Sequence, residues 1–269
     1  MKISIITTNY NTDKYLKKTI KSVLNQKGNF ELEYIITDGG STDSSLDIIK
    51  KYDREVKDGK WGSKVIYKYK SEKDKGQSNG INKGLRMGTG DIIGVLNADD
   101  IYTKGTLDKV VKYFKDNPEC MWLTGYCKII DENDKQIKKY ITEYKNRKLR
   151  RFTFNQLLIE NCISQPSTFW RKSVMDDVGY IDESLHYSMD QEYSARIASK
   201  HKLHLIPEYL AEFRFTSDTK TGSSIEKTLS ESKMIAKKYS KNKWIFILQD
   251  LSNLKRIISY KYMSKIFKR

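Results

Sequence analysis

Two adjacent carboxylates, Asp99 and Asp100, directly follow an apolar run at residues 92–96. Like charges side by side repel each other, and a bound divalent cation offsets that cost. Carboxylate oxygens are hard ligands that suit Mg²⁺ or Mn²⁺, which commonly bridge a few protein carboxylates and the phosphates of a ligand. The alternative is that this acidic turn only caps the helix predicted over residues 104–114.

Other polar loops lie where further strands are predicted to end. Residues 8–13 read Thr-Asn-Tyr-Asn-Thr-Asp, and residues 38–43 read Asp-Gly-Gly-Ser-Thr-Asp. Glycines let the backbone approach a ligand closely, and Asp38 can accept the imide N–H of a pyrimidine base. Residues 71–84 add a carboxylate, cations and a helix start. Each loop alone would be read as an ordinary turn.

The elements around these loops alternate between strand and helix patterns. Continuous apolar runs predict strands over residues 2–7, 33–37, 65–69 and 92–96. Helical spacing predicts helices over residues 15–25, from about residue 44, and over residues 81–87. This alternation indicates a parallel sheet covered on both faces, in which ligands bind beyond the carboxyl ends of the strands.

The second half of the chain is less regular. We expect strands over residues 122–130 and 164–170, and helices over residues 149–160 and 191–199. A helical stripe then runs from residue 244 to residue 267.

The order and spacing of the polar loops resemble the family 2 glycosyltransferases, which are inverting enzymes with the GT-A fold. The resemblance covers roughly residues 1–215 and is carried by residues 3–11, 37–43, 74–84 and 90–100. It implies an α/β, Rossmann-like fold with a mostly parallel central sheet flanked by helices. The domain would span residues 1–218, with a nucleotide-sugar half (1–100) and an acceptor half (101–218). Residues 219–269 would form a basic helical extension.

The resemblance also implies a site for a nucleotide sugar, most often a UDP-sugar, and for Mn²⁺ or Mg²⁺. Asp99 matches the best metal ligand of the family, with Asp100 supporting it. The family's first motif acid is Asn97 here, and Thr216 stands where many members carry a histidine, so weak metal binding without nucleotide is expected. The residues implied to bind the donor are Thr7, Asn9, Asp38, Asp74, Lys75, Gly76, Asn82, Asn97 and Arg214.

Asp190 matches the catalytic carboxylate of the family, within residues 187–193. Inverting transfer is a single displacement in which one carboxylate removes the proton of the acceptor hydroxyl. The alternative is that Asp190 caps the helix predicted from Gln191. Residues 162–170 resemble a segment near the acceptor, in which Gln165 and Trp170 are candidates for sugar contacts, and core packing is an equal alternative for Trp170.

The net charge of +16 is concentrated at the C-terminus, where residues 219–269 contain 13 Lys/Arg and 3 Asp/Glu. The helical stripe there could lie on an anionic membrane, giving peripheral contact through residues 240–269, or pack on the domain or on another subunit of a homodimer. No run approaches the ~20 apolar residues that span a bilayer. The three cysteines have no metal-type spacing and are expected to be reduced thiols.

The sequence therefore predicts a cytoplasmic enzyme, with peripheral membrane contact at the inner face as one option. Its acceptor would be a glycan or lipid-linked oligosaccharide in cell-surface polysaccharide synthesis. Two other classes of protein are alternatives to a glycosyltransferase. A sugar-nucleotide pyrophosphorylase would carry a glycine- and arginine-containing first loop, which residues 7–11 lack. A non-catalytic nucleic-acid- or membrane-binding protein would explain the charge, but the acidic loops would repel phosphate, so no nucleic-acid partner is expected.

Overall fold

Strands and helices alternate along the chain and form one sheet with helices on both faces. The computed structural model describes residues 1–216 and 225–266, with side chains up to Ile258. The strands are β1 (Lys2–Asn9), β2 (Glu31–Asp38), β3 (Val65–Ser71), β4 (Ile92–Val95), β5 (Ile101–Tyr102), β6 (Trp122–Ile130), β7 (Gln136–Ile137), β8 (Thr168–Arg171) and β9 (Leu203–Arg214). The helices are α1 (Asp13–Leu24), α2 (Ser45–Lys57), α3 (Gln77–Met87), α4 (Thr106–Asp116), α5 (Lys139–Leu149), α6 (Phe154–Ile159), α7 (Val174–Val178), α8 (Met189–Ala198), α9 (Ile225–Tyr239) and α10 (Lys243–Ile266).

The strand order is β3-β2-β1-β4-β8-β6-β9-β5, with β7 paired to β6. The first four strands are mutually parallel, and β9 is parallel to β6. Between these two parts, β8 runs antiparallel to both β4 and β6. Most paired residues lie in parallel ladders, and helices cover the sheet. The predicted α/β class with a mostly parallel sheet is confirmed.

Alternation along the strands divides the core into two layers. Ile3 and Ile5 of β1 pack with helices α1 and α4 on one face, whereas Ile6 packs with α3 and α8 on the other. Successive side chains of a strand point to opposite faces, so a continuous apolar strand serves both layers. This arrangement fixes the polar residues that follow each strand at one edge of the sheet.

The helix predicted over residues 149–160 is wrong. The chain forms two helices there, because α5 ends at Leu149 and α6 begins at Phe154. Thr153 between them is extended, and its side chain accepts a hydrogen bond from the Gln156 backbone N–H at 3.2 Å. A threonine hydroxyl that accepts a backbone N–H at an N-cap starts a new helix instead of continuing the old one. The strand predicted from residue 164 begins only at Thr168, after a 3₁₀ turn at residues 165–167.

The C-terminal helices pack into the second core layer. Ile235, Ala236 and Ile245 are buried there, and Gln249 Nε2 donates to the carbonyl oxygen of Leu158 at 2.9 Å. Helices α9 and α10 therefore pack against the part of the fold that contains α6 and α8. The boundary predicted at residues 218 and 219 lies outside the described residues.

Two further sequence predictions concern cysteines and membrane spans. Cys120, Cys127 and Cys162 are free, buried thiols. In the part of the chain that the structure describes, no helix is long and apolar enough to cross a membrane.

A buried carboxylate, Glu33, joins the parallel strands at their start. It accepts hydrogen bonds from Ser4 Oγ, Lys68 Nζ and the backbone N–H of Thr89, the last two at 2.8 and 2.7 Å. Burial alone would raise the pKa of Glu33, but these hydrogen bonds outweigh it and lower the pKa to about 2. Glu33 is thus ionised and stabilising at neutral pH.

We expect Glu33→Gln to lower the free energy of unfolding by about 2–3 kcal/mol at pH 7. The folded-state pKa is depressed, so this stabilisation is present above the ordinary carboxyl pKa. It is lost as the pH falls from there to about 2. Urea unfolding across pH would therefore show the difference between wild type and variant shrinking towards pH 2. The control is Glu31→Gln on the same strand, which is exposed; a pH-independent difference for Glu33→Gln contradicts the assignment.

Candidate functional site

Strand register brings the polar loops of the sequence together. Asn9 at the end of β1 pairs with Asp38 at the end of β2, and Asp38 pairs with Ser71 at the end of β3. The end of β4 lies beside β1, with Val95 opposite Ile6. The four parallel strands thus deliver their following loops to one edge, as the sequence predicted.

Asp38 organises this edge. Its Oδ1 accepts from Asn9 Nδ2 at 2.7 Å and from Ser41 Oγ at 2.5 Å. Its Oδ2 accepts from Ser71 Oγ at 2.6 Å and from the backbone N–H groups of Gly40 and Ser41. Burial opposes ionisation, but hydrogen bonds led by those of Ser41, Ser71 and Asn9 lower the pKa of Asp38. A direct contact between Asp38 and a base would therefore have to replace one of five donors.

Asn9, unlike Asp38, has a hydrogen-bond acceptor that is still available to a ligand. Its Oδ1 is buried and has no hydrogen-bond partner among the described residues. A buried acceptor without a donor carries a free-energy cost that a ligand N–H or O–H would remove. Thr7, also predicted to contact the donor, is fully buried and accepts from Tyr34 Oη at 3.1 Å, so the structure gives it a packing role instead.

Asp74 lies against the glycines of this edge. A Cβ atom at Gly39 would come within 2.8 Å of Asp74 Oδ2, so a side chain there would displace the Asp74 carboxylate. Asp74 Oδ1 accepts from the backbone N–H of Gly76, whose φ of +113° also favours glycine. Lys75 and Gly76 are exposed beside it, so both are accessible to a ligand.

Asn82 departs from its predicted role as a donor contact. It is 2% exposed, and its Nδ2 donates to the Ile181 carbonyl oxygen at 2.9 Å and to Glu183 Oε1 at 2.8 Å. Its Oδ1 accepts from the Ile181 backbone N–H at 3.0 Å. Both amide protons are used, so Asn82 instead fastens α3 to the loop that leads to Asp190.

The acidic turn is held by a chain of amides. Gln77 Nε2 donates to Asn97 Oδ1 at 2.8 Å, and Asn97 Nδ2 donates to Asp100 Oδ2 at 3.0 Å. Asp100 is fully buried, and its Oδ1 accepts from the Arg214 backbone N–H at 2.9 Å. Asp99 is half-buried and its carboxylate accepts no hydrogen bond from another residue in the described part of the chain. Gln77 lies in one of the polar loops, but its residue type and spacing do not single it out.

Arg214 lies inside the protein. It is fully buried, its Nε donates to the Asp99 carbonyl oxygen at 2.9 Å, and its Nη2 lies 2.6 Å from Asp134 Oδ1. Its guanidinium also stacks 4.6 Å from the ring centre of Tyr15. Arg214 therefore secures the acidic turn from behind, and the direct contact with the donor expected from the sequence does not fit this position.

The two acids suit a metal only in part. Burial raises the pKa of Asp99, and burial together with the neighbouring Asp99 raises that of Asp100 well above its ordinary value. A divalent cation would relieve that cost. Within residues 1–216 and 225–258, no group of three or more His, Cys, Asp or Glu side chains could hold a metal ion. The donor set fits Mg²⁺ or Mn²⁺ if phosphate or water oxygens complete the coordination.

Asp190 lies in the first turn of α8, half-buried at a small cavity. Burial raises its pKa, partly offset by the Gln191 N–H, by Lys145 and by Asn161, whose Nδ2 donates to Asp190 Oδ2 at 3.2 Å. The cavity wall also includes Val95, two residues before the acidic turn. The predicted base and the last residue of β4, the strand that precedes the predicted metal ligands, thus line the same cavity.

The same cavity contains two unused donors. Gln165 Nε2 and Trp170 Nε1 are buried, have no hydrogen-bond partner among the described residues, and belong to side chains that line it. Donors left unpaired beside a carboxylate could bind hydroxyl groups or water. Trp170 packs in the second core layer, as one of its two predicted alternatives has it, and its indole N–H is left without a partner among the described residues.

Glu231 of α9 holds the segment that precedes Asp190. Its carboxylate accepts the backbone N–H groups of His186, Tyr187 and Ser188 at 3.0, 2.8 and 2.7 Å. At the other side, buried Glu192 accepts from Lys238 Nζ and Tyr239 Oη. Helix α9 thus clamps the N-terminal part of α8. Sequence reasoning missed Glu231 because it lies in the tail and 41 residues from Asp190.

The comparison with protein families identifies the chain. The model for glycosyl transferase family 2 matches residues 4–179. The chain belongs to this family. It is 29% identical to an uncharacterized glycosyltransferase of Methanocaldococcus jannaschii over 90% of this chain and 80% of that protein. It is also 31% identical to the minor teichoic acid biosynthesis protein GgaB of Bacillus subtilis, over 42% of this chain and 12% of that protein.

Solved structures agree with the predicted fold. S. aureus TarS 1-349 in complex with UDP-GlcNAc matches with a TM-score of 0.66 at 19% identity, over 87% of this chain and 65% of that chain. A mannosyltransferase from Pyrobaculum calidifontis in complex with GDP-Man and Mn²⁺ also matches with a TM-score of 0.66, at 14% identity over 96% and 75%. The GT-A fold and the assignment as a glycosyltransferase are confirmed. Several curated relatives are longer, and the chain spans 34% to 65% of their length.

We expect Glu231→Ala to loosen the segment before Asp190, because three backbone N–H groups lose their shared acceptor. Hydrogen exchange at residues 186–188 should become roughly ten- to a hundredfold faster, since each lost bond is worth about 1 kcal/mol. Mass spectrometry of peptides covering these residues measures this. The matched control is Glu226→Ala, an exposed acid of the same helix. Unchanged exchange in Glu231→Ala would contradict the clamp.

Proposed function

We propose that this glycosyltransferase inverts the anomeric centre of a sugar that it takes from a nucleotide sugar, with Asp190 as general base. The observation that carries the proposal is the cavity shared by Asp190, Trp170 and Val95. It places a half-buried carboxylate next to the strand that ends in the acidic turn. A base on one side of the reacting carbon and a phosphate site on the other is the arrangement that a single displacement requires.

The donor side is supported by the edge built around Asp38. Asn9 Oδ1 is available as an acceptor for a nucleoside N–H or O–H group, and the Asp74 loop with Lys75 and Gly76 lies beside it. Related structures were solved with UDP-GlcNAc, UDP and GDP-Man, so a nucleotide-sugar donor is well founded. We favour a UDP-sugar, because a buried amide oxygen matches the imide N–H of uracil.

The reaction follows from the residues present. The Asp190 carboxylate takes the proton of the acceptor hydroxyl. At the same time, the oxygen of that hydroxyl attacks the anomeric carbon, and the bond from this carbon to the nucleoside diphosphate breaks. Burial raises the pKa of Asp190, which makes it a stronger base than an exposed carboxylate. Lys145 and Asn161 act on the same carboxylate and favour its charged form before transfer.

The leaving diphosphate needs positive charge nearby. Mn²⁺ or Mg²⁺ held by Asp99, with Asp100 behind it, would stabilise the charge that develops on the departing oxygen. Asp100 is fixed by Asn97 and by the Arg214 backbone, so Asp99 is the side chain free to turn towards a cation. Metal affinity should therefore be low until a diphosphate supplies further oxygens.

The acceptor belongs to cell-surface polysaccharide synthesis in our proposal, as a glycan or lipid-linked oligosaccharide. The similarity to a teichoic acid biosynthesis protein supports this class. The orphan donors of Gln165 and Trp170 would then bind acceptor or sugar hydroxyls. We propose that the enzyme acts in the cytoplasm at the inner face of the membrane.

We expect Asp190→Asn to lower turnover by about 10²–10⁴-fold while UDP still binds, because only the proton acceptor is lost. The control is Asp176→Asn, an exposed acid of α7. In the wild type, the rate should fall on the acid side with a midpoint above the ordinary carboxyl value, since the raised pKa must be exceeded before the base is ionised. Product formation measured across pH tests both points, and normal turnover in Asp190→Asn would refute the role.

We expect UDP to raise the melting temperature only when Mn²⁺ or Mg²⁺ is present. A ligand at about 100 times its Kd adds roughly 2.7 kcal/mol, which corresponds to about 5–10 °C for a domain of this size. The variant Asp99→Asn should lose this shift, and Glu119→Gln, an exposed acid, should keep it. An equal shift without metal would refute the metal site. A larger shift with GDP than with UDP would refute the uridine preference.

A further inference from the structure

Helix α10 exposes its apolar side to solvent. Six large side chains are between 47% and 70% exposed, namely Trp244, Ile247, Leu248, Leu251, Leu254 and Ile258. The opposite side of the helix contains the buried Ile245 and Gln249. A helix that only packed on the domain would turn its apolar stripe inward. This exposed stripe indicates that something else covers it.

Helix α5 has a second face with large side chains exposed to solvent. Tyr140 and Tyr144 are 63% and 44% exposed, and Arg147 follows on the same side at helical spacing. Aromatic and basic side chains together are typical of surfaces that meet the headgroup region of a bilayer.

Glu160 joins the two helices. Its Oε2 accepts from Tyr144 Oη of α5 at 2.8 Å and from Ser252 Oγ of α10 at 3.2 Å, and Lys148 pairs with it. Ser252 is next to Leu251 in the exposed stripe. Tyr144 of α5 and Ser252 of α10 therefore come close together at Glu160, and we call the exposed faces of these two helices the α5–α10 surface.

The charge of this surface distinguishes between two candidate partners, a second copy of the chain and an anionic bilayer. Lys255 lies within the apolar stripe of α10, and Arg147 within the exposed face of α5. Of the nearby acids, Asp250 pairs with Lys233, whereas Glu143 of α5 accepts a hydrogen bond from the neutral hydroxyl of Tyr209. A second copy would bring the same positive face against itself, and like charges there cost free energy. An anionic bilayer satisfies both the apolar area and the charge.

The α5–α10 surface is also close to the reacting groups. Asn161, which donates to Asp190, directly follows Glu160, the residue that joins the two helices. The inner side of α5 carries Lys145, which favours the ionised form of Asp190. A bilayer in contact with this surface would lie next to the acceptor side of the site.

We propose that the α5–α10 surface binds an anionic lipid bilayer and so holds the Asp190 side of the enzyme at the membrane. This extends membrane contact beyond the C-terminal helix to α5. It does not rest on the proposed catalytic roles, because vesicle binding is measurable without turnover.

The test is flotation of the full chain with phosphatidylcholine vesicles that contain or lack phosphatidylglycerol. The wild type should float with the anionic vesicles, and less so at high salt. Arg147→Glu combined with Lys255→Glu should weaken binding by roughly tenfold or more. Arg147→Glu alone should weaken it measurably, because α5 is part of the surface. Leu251→Ser with Leu254→Ser should also weaken it, although no charge changes.

The matched control reverses two exposed lysines elsewhere, Lys51→Glu with Lys112→Glu, giving the same change in net charge. Thermal melts verify that each variant is folded. Equal loss in this control would show that overall charge attracts the protein, and would overturn the proposal. So would unchanged binding in the surface variants. A wild type that ignores vesicles and dimerises in light scattering, with the dimer lost in Leu251→Ser/Leu254→Ser, would show that a second copy covers the stripe.

Discussion

The buried guanidinium of Arg214 is the interaction on which the acidic turn depends. A charge removed from water is tolerated only when it is paired and hydrogen-bonded, and Arg214 achieves this with the Asp99 carbonyl oxygen, Asp134 and the ring of Tyr15. The same residue gives its backbone N–H to Asp100. The end of β9 therefore fixes two neighbouring acids that would otherwise repel each other. Asp99 is left as the side chain that can reach outward, so the metal site that we propose depends on how this guanidinium is buried.

A second constraint sets the position of Asp190. The helix that carries it begins in a segment whose backbone N–H groups are held by Glu231, and its Glu192 is held by Lys238 and Tyr239. On the opposite side, Asn82 fastens the same loop to α3, which also reaches the acidic turn through Gln77. The segment before Asp190 and the acidic turn are thus connected through α3, and the C-terminal region holds the helix that carries the proposed base.

The C-terminal region has two different sides, and its composition and net charge alone do not show this division. Its inner side contributes Ile235, Ile245 and Gln249 to the core, whereas its outer side carries the apolar stripe beside α5. In our proposals, the inner side of these helices positions Asp190 and their outer side contacts anionic lipid.

The sequence by itself determined the α/β class, the parallel strands and the polar loops at their ends, because apolar periodicity and glycine-rich turns are local properties. It also identified Asp38, Asp74, Asp99 and Asp190 as candidates, since the motifs that carry them are short. Only the tertiary structure decided which side chains remain available to a ligand. Thr7, Asn82 and Arg214 share those motifs yet use their hydrogen bonds inside the protein, while Gln77 and Glu231 act across long separations. Burial and hydrogen-bond saturation depend on what packs against a residue, and spacing along the chain does not encode that.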